Sequence, residues 1–115
     1  MILDLPMPPS ANRLWRLGKK GPYSDKQYVA WQEECHALFL QFRWHKKPIR
    51  GPYQLWITCD RSKRRGDLDN RCKAVVDLLH RMGVTDDDSK LERIVAEFGD
   101  APVGCRVLVE PWREN

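Results

Sequence analysis

A chain of 115 residues has room for one domain with one modest core, so a single site is expected. At 42% hydrophobic and 31% charged residues the composition is that of a globular protein, well away from the disordered range, and no apolar run approaches the roughly 18 residues of a membrane span. The net charge of +4 conceals an asymmetry. Met1 to Gly66 holds 13 Lys/Arg against 5 Asp/Glu, whereas Asp67 to Asn115 holds 7 against 11. A basic half suits a polyanion such as nucleic acid, because neutralised phosphates release counterions, although a solvated basic surface has the same composition. The opening Met1-Ile2-Leu3-Asp4-Leu5-Pro6 has neither the basic region nor the long apolar region of a secretory signal, so the expected compartment is the cytoplasm. The four cysteines, Cys35, Cys59, Cys72 and Cys105, stand singly without a CxxC pair, and read as reduced, buried, small apolar residues.

In chain order, Ile2, Leu3 and Leu5 predict a short strand that Pro6, Pro8 and Pro9 stop. The loop that follows mixes Arg13, Trp15, Arg16, Lys19 and Lys20, cations with a large aromatic, and could grip phosphates and stack a base. Trp15 reads equally well as a packed aromatic. Ser24 and Gln27 form a capping-box pattern opening a helix whose Tyr28, Trp31, Cys35, Leu38, Phe39 and Phe42 recur at helical spacing, as a core face. Tyr53, Leu55, Ile57 and Cys59 alternate with Gln54, Trp56 and Thr58, the period of a strand. That strand runs into the densest basic stretch, with Arg61, Lys63, Arg64 and Arg65, and then into Asp67-Leu68-Asp69-Asn70. A second helix is expected from about Asp69 to Met82, its apolar stripe Cys72, Val75, Val76, Leu79 and Met82, with Gly83 as its stop and Lys73 and Asp77 off the stripe. Strands are expected at Leu91 to Phe98 and Cys105 to Glu110, joined by a hairpin loop over Gly99 to Gly104. The expected fold is α+β: one small domain with a mixed sheet of about four strands and two main helices on one face.

One aspartate at a helix entrance is an ordinary cap. Asp67 and Asp69 together, after four cations in five residues, go beyond a cap, and their repulsion would be relieved by a divalent cation. The triple acid Asp86-Asp87-Asp88 by itself is a polar turn. A helix between the two clusters is about 20 Å long, so they meet only if Thr85 to Lys90 runs back along it. An EF-hand is excluded, since Arg71 and Cys72 stand where the calcium loop needs a ligand and glycine. Oxygen ligands without that loop fit Mg²⁺, which takes few carboxylates, several waters and a substrate phosphate.

Asp67-Leu68-Asp69-Asn70, Lys73, Asp77, Gly83 and Asp87-Asp88 resemble the signature of the RusA family of Holliday junction resolvases, and Pro8-Pro9-Ser10, Asn12-Arg13 and Arg16 resemble its amino-terminal motif. The resemblance extends over nearly the whole length. It implies a homodimeric endonuclease acting on branched DNA, with no membrane and no small-molecule cofactor. Its Mg²⁺, or Mn²⁺ as a substitute, would be held by Asp67, Asp69 and Asp88 with Asp87 beside it, and Lys73 would assist. Asn70 and Asp77 would support that site. Three consecutive acids stand where the motif needs two, so a register shift of one residue stays open. Lys73 has an alternative role as an ion-pair partner of Asp69 or Asp77 on the helix surface. Two rival functions remain at this level: a branched-DNA binding protein with structural aspartates, and a metal-dependent RNase or flap nuclease.

Overall fold

The computed structural model describes residues 1–9, 26–63 and 68–113, without the side chains of Lys63, Asn70 and Asp88. Period-two alternation makes β2 (Tyr53–Asp60) the central strand: Tyr53, Leu55, Ile57 and Cys59 are buried, and the residues between them are half-buried. With β1 (Ile2–Leu5), β3 (Leu91–Gly99) and β4 (Cys105–Pro111) it forms a four-stranded mixed sheet in the order β1-β4-β2-β3. β4 lies antiparallel to both β1 and β2, while β3 runs parallel to β2 and is the edge of the sheet among the described residues.

Helices α1 (Lys26–Phe42) and α2 (Leu68–Arg81) cover one face of this sheet. Tyr28, Trp31, Cys35 and Phe39 from α1 meet Cys72, Val75, Leu78 and Leu79 from α2 over the inward row of the strands, in one apolar cluster. The helix-spaced residues of both elements therefore face the core as expected. Two residues depart from this: Leu38 is half-buried outside the cluster, and Phe42 is 55% exposed, its ring stacking on Trp44 at 5.1 Å instead. The Ser24 cap lies outside the described residues. Gly83 ends α2 as expected: it has φ +76°, its N–H bonds the carbonyl of His80, and the Val84 N–H reaches that of Leu79. This left-handed stop, with an apolar residue after it, is a Schellman motif.

The segment between β3 and β4 is not a hairpin, because β2 separates those strands. Turn residues do connect the two strands, but local signals do not distinguish adjacent strands from strands one place apart. The crossover through α2 places β3 beside β2, and β4 enters the interior of the sheet, where Cys105, Val107 and Val109 are buried.

Gly104 closes this connection at φ +142°, and a Cβ there would lie 2.4 Å from the Met7 nitrogen and 2.9 Å from the Pro6 carbonyl carbon. Gly51 also has positive φ, +77°, but open space around it. Gly104→Ala should therefore lose about 3 kcal/mol or more through combined strain and backbone clash, and Gly51→Ala only about 1 kcal/mol. Urea denaturation checks this, and equal losses would show that the contact at Gly104 is readily relaxed.

Candidate functional site

The first turn of α2 leaves the sheet at the carboxyl end of β2. Cys72, one turn into the helix, packs with Cys59 near the end of that strand, and Arg71 lies close enough to Cys59 to act on its thiol electrostatically. Asp69, Lys73 and Asp77 follow one another at four-residue spacing, all exposed, down one side of α2. They rim a groove of about 820 Å³ whose wall is Leu68, Cys72 and Val76, and whose floor is Leu91, Ile94 and Ala96 of β3. Among the described residues no ion pair ties Lys73 to Asp69.

The basic stretch begins at the same end of the sheet. Arg61–Lys63 form a short 3-10 turn straight after β2, in which the Asp60 carboxylate accepts from the Ser62 N–H at 3.0 Å and the Ser62 hydroxyl at 2.9 Å. Arg61 is exposed, and its guanidinium donates to the Phe98 carbonyl at 3.0 Å. Asp67, Arg64 and Arg65, and Arg13, Trp15, Arg16, Lys19 and Lys20 of the amino-terminal loop, lie outside the described residues.

The second acidic cluster lies elsewhere. Thr85 pairs with Ile49 in a parallel bridge, and the Ile49 N–H donates to the Val84 carbonyl at 2.7 Å. The Asp86 carboxylate accepts from the Arg50 guanidinium at 2.5 Å and the Gly51 N–H at 3.0 Å. The hydrogen bond from Arg50, helped by that from Gly51, holds its carboxyl below the usual carboxylate range. Asp87 accepts from the Ser89 N–H at 3.1 Å, opening a 3-10 turn (Asp88–Lys90) that enters β3 opposite Tyr53.

The extended return of Thr85 to Lys90 toward the start of the helix is therefore not formed. The segment is tied to residues 49–51 at the beginning of β2, near the last turn of α2. With a helix about 20 Å long between them, Asp69 and Asp87 occupy opposite ends of the sheet. Among the described residues, no group of three or more His, Cys, Asp or Glu could hold a metal. Asp86 has structural partners of its own in Arg50 and Gly51, Asp87 accepts from Ser89, and the side chain of Asp88 lies outside the described residues.

Two contacts escaped sequence reasoning. Arg71, noted there only as an obstacle to a calcium loop, donates to the Pro8 carbonyl, and Trp31 Nε1 donates to the Pro6 carbonyl at 2.9 Å. Together they hold Pro6 and Pro8 against both helices, with Pro8 beside the first turn of α2. An arginine next to a helix cap is the only sequence signal for this, and it names no partner.

The described site joins the acid-bearing start of α2, at Asp69, to the basic turn at Arg61 on a small α+β frame. The family model for endodeoxyribonuclease RusA matches residues 6–110, and the chain belongs to that family of nucleases. No curated protein matches the chain.

The lowered carboxyl of Asp86 stabilises the fold at neutral pH, and this contribution is lost as pH falls through its folded-state pKa. Asp86→Asn should therefore unfold at lower urea than wild type at pH 7, and the difference should close in acid. A difference independent of pH would place the effect outside this carboxylate.

Proposed function

We propose that the chain is a Mg²⁺-dependent endodeoxyribonuclease, with Mn²⁺ as a substitute, that resolves four-way DNA junctions by paired symmetric nicks. It would act as a cytoplasmic homodimer in recombination and repair. The observation that carries this reading is the family match over residues 6–110, which includes both acidic clusters and Lys73.

Asp67, Asp69 and Asp88, with Asp87 adjacent, are the residues that would hold the metal. A divalent cation there supplies charge to polarise the scissile phosphate and acidify an attacking water. One chain keeps Asp69 away from the Asp87 loop, so the set needs a second copy. β3 offers the surface: a nine-residue edge strand with Ile94 43% exposed beside the apolar groove. An edge of this kind is a template for another strand. In a twofold antiparallel pair along β3, the start of the partner strand would lie against the end of β3, with all helices on one face. The partner's Asp87 and Asp88 would then face Asp67 and Asp69 across the dyad, and two equivalent sites would serve two nicks.

Lys73 projects one turn into the helix, where its ammonium would meet charge developing on the phosphate. Arg61, Lys63, Arg64 and Arg65, with Arg13, Arg16, Lys19 and Lys20, would follow the junction's phosphates, and Trp15 would stack on an unpaired base at the crossover.

The test is cleavage of a synthetic four-way junction, duplex, flap and RNA, with Mg²⁺ or with EDTA. Paired nicks confined to the junction are expected in Mg²⁺ alone. Asp69→Asn should lower kcat at least about 10²-fold while junction binding persists. Lys73→Ala should lower it about 10²-fold with little change in melting, since an exposed helix pair contributes only about 0.3–0.5 kcal/mol. Binding without cutting under any divalent ion would leave a DNA-structure binding protein. Lys73→Ala activity within a few-fold of wild type would make that residue a surface charge.

A further inference from the structure

All four cysteines are buried in the same core: Cys35, Cys59 and Cys105 at 0% exposure and Cys72 at 5%. They do not stand in equivalent relations. Cys59 and Cys105 face each other directly on the paired strands β2 and β4. The Asp60 N–H donates to the Gly104 carbonyl at 2.8 Å, which makes the neighbouring Asp60 and Gly104 the hydrogen-bonded pair of the ladder. Cys59 and Cys105 are then the non-hydrogen-bonded pair, whose Cα atoms approach to about 4.5 Å with both side chains on one face. That spacing falls within the roughly 4.4–6.8 Å that a disulfide spans. Cys35 and Cys72 reach the pair from the helices, with no backbone pairing to hold them opposite it.

The two thiols also differ in acidity. The interaction of its thiol with that of Cys105 draws Cys59 below its ordinary value, with the charge of Arg71 assisting against burial. Cys105 is pushed up by that same interaction and by burial, while burial takes Cys35 and Cys72 up to about 12. Of the four, only Cys59 is shifted toward the thiolate, the form that attacks an oxidant.

We propose that Cys59 and Cys105 are a reversible redox pair, closing into a cross-strand disulfide when the protein meets a peroxide. The Cys59 thiolate attacks one peroxide oxygen and the O–O bond breaks. With one proton taken up, this yields a sulfenic acid on Cys59 and, from hydrogen peroxide, one water. The Cys105 sulfur then attacks the Cys59 sulfur, the S–O bond breaks, and the hydroxyl leaves with the Cys105 proton as a second water. The two thiols are oxidised by two electrons and the peroxide is reduced by two. Because both sulfurs are fully buried, the reaction waits on local opening of the strands and is slow beside that of a surface thiol.

The experiment treats the full-length protein with hydrogen peroxide under native conditions, then unfolds it in an alkylating reagent and maps the fragments by mass. Alkylation should fall from four cysteines to two, with the mass otherwise lower by two hydrogens, a fragment joining Cys59 to Cys105, and reversal by dithiothreitol. In Cys105→Ala the sulfenic acid should persist on Cys59 and be trapped by dimedone, and the Cys35→Ala, Cys72→Ala double variant should still form the cross-link. Four alkylated cysteines in treated wild type would overturn the proposal. So would a cross-link mapping to Cys35 or Cys72, or a loss of thiols that persists in Cys59→Ala.

Discussion

The parallel crossover from β2 through α2 to β3 governs everything else in this molecule. Parallel neighbours require the chain to return from the end of one strand to the start of the next, and the helix makes that return. The start of α2 therefore lies at the carboxyl end of the sheet, and the segment that follows it lies at the amino end. Asp69 and the basic turn at Arg61–Lys63 share the first end, and the Asp86 to Asp88 loop is fastened to residues 49–51 at the second. Two acidic clusters separated by one helix are held apart by the same element that makes each accessible.

That constraint gives the bare edge of β3 a purpose. A nine-residue strand that is paired on one side only among the described residues, beside an apolar groove, is a liability for a protein that works alone. In the proposed dimer, a twofold partner would meet both the need for a second acidic cluster and the need to cover an edge. The rim of Asp69, Lys73 and Asp77 would then border a joint between copies, at the site where the substrate's phosphates are received. Arg71 and Trp31 add to this by holding Pro6 and Pro8 against the two helices.

Much of the fold was legible because its signals are local. Period-two burial in β2, the helical spacing of Tyr28, Trp31, Cys35 and Phe39, and the glycine stop at Gly83 each depend on a few neighbouring residues. Strand order was not legible in the same way. The turn at 99–104 reads as a hairpin until the α2 crossover inserts β2 between the strands it joins. The acids were legible as residue types, whereas their partners were not. Asp86 is assigned to the fold by Arg50 and Gly51, more than thirty residues away in sequence, and Arg71 finds a proline carbonyl at the far end of the chain. Such contacts follow from topology, and a linear pattern carries no record of them.

The most direct test of this account is complementation between two inactive variants, Asp69→Asn and Asp88→Asn, unfolded together and refolded as a mixture. If the acids meet across a dyad, each heterodimer carries one site with both carboxylates intact and one with neither. Mg²⁺-dependent nicking of a four-way junction should then return to about a quarter of the wild-type number of sites, for random pairing in a twofold dimer, although each variant alone is silent. If the mixture stays as inactive as its components while still binding junctions as a dimer, the acids belong to one chain and the separation of Asp69 from the Asp87 loop does not describe the working enzyme.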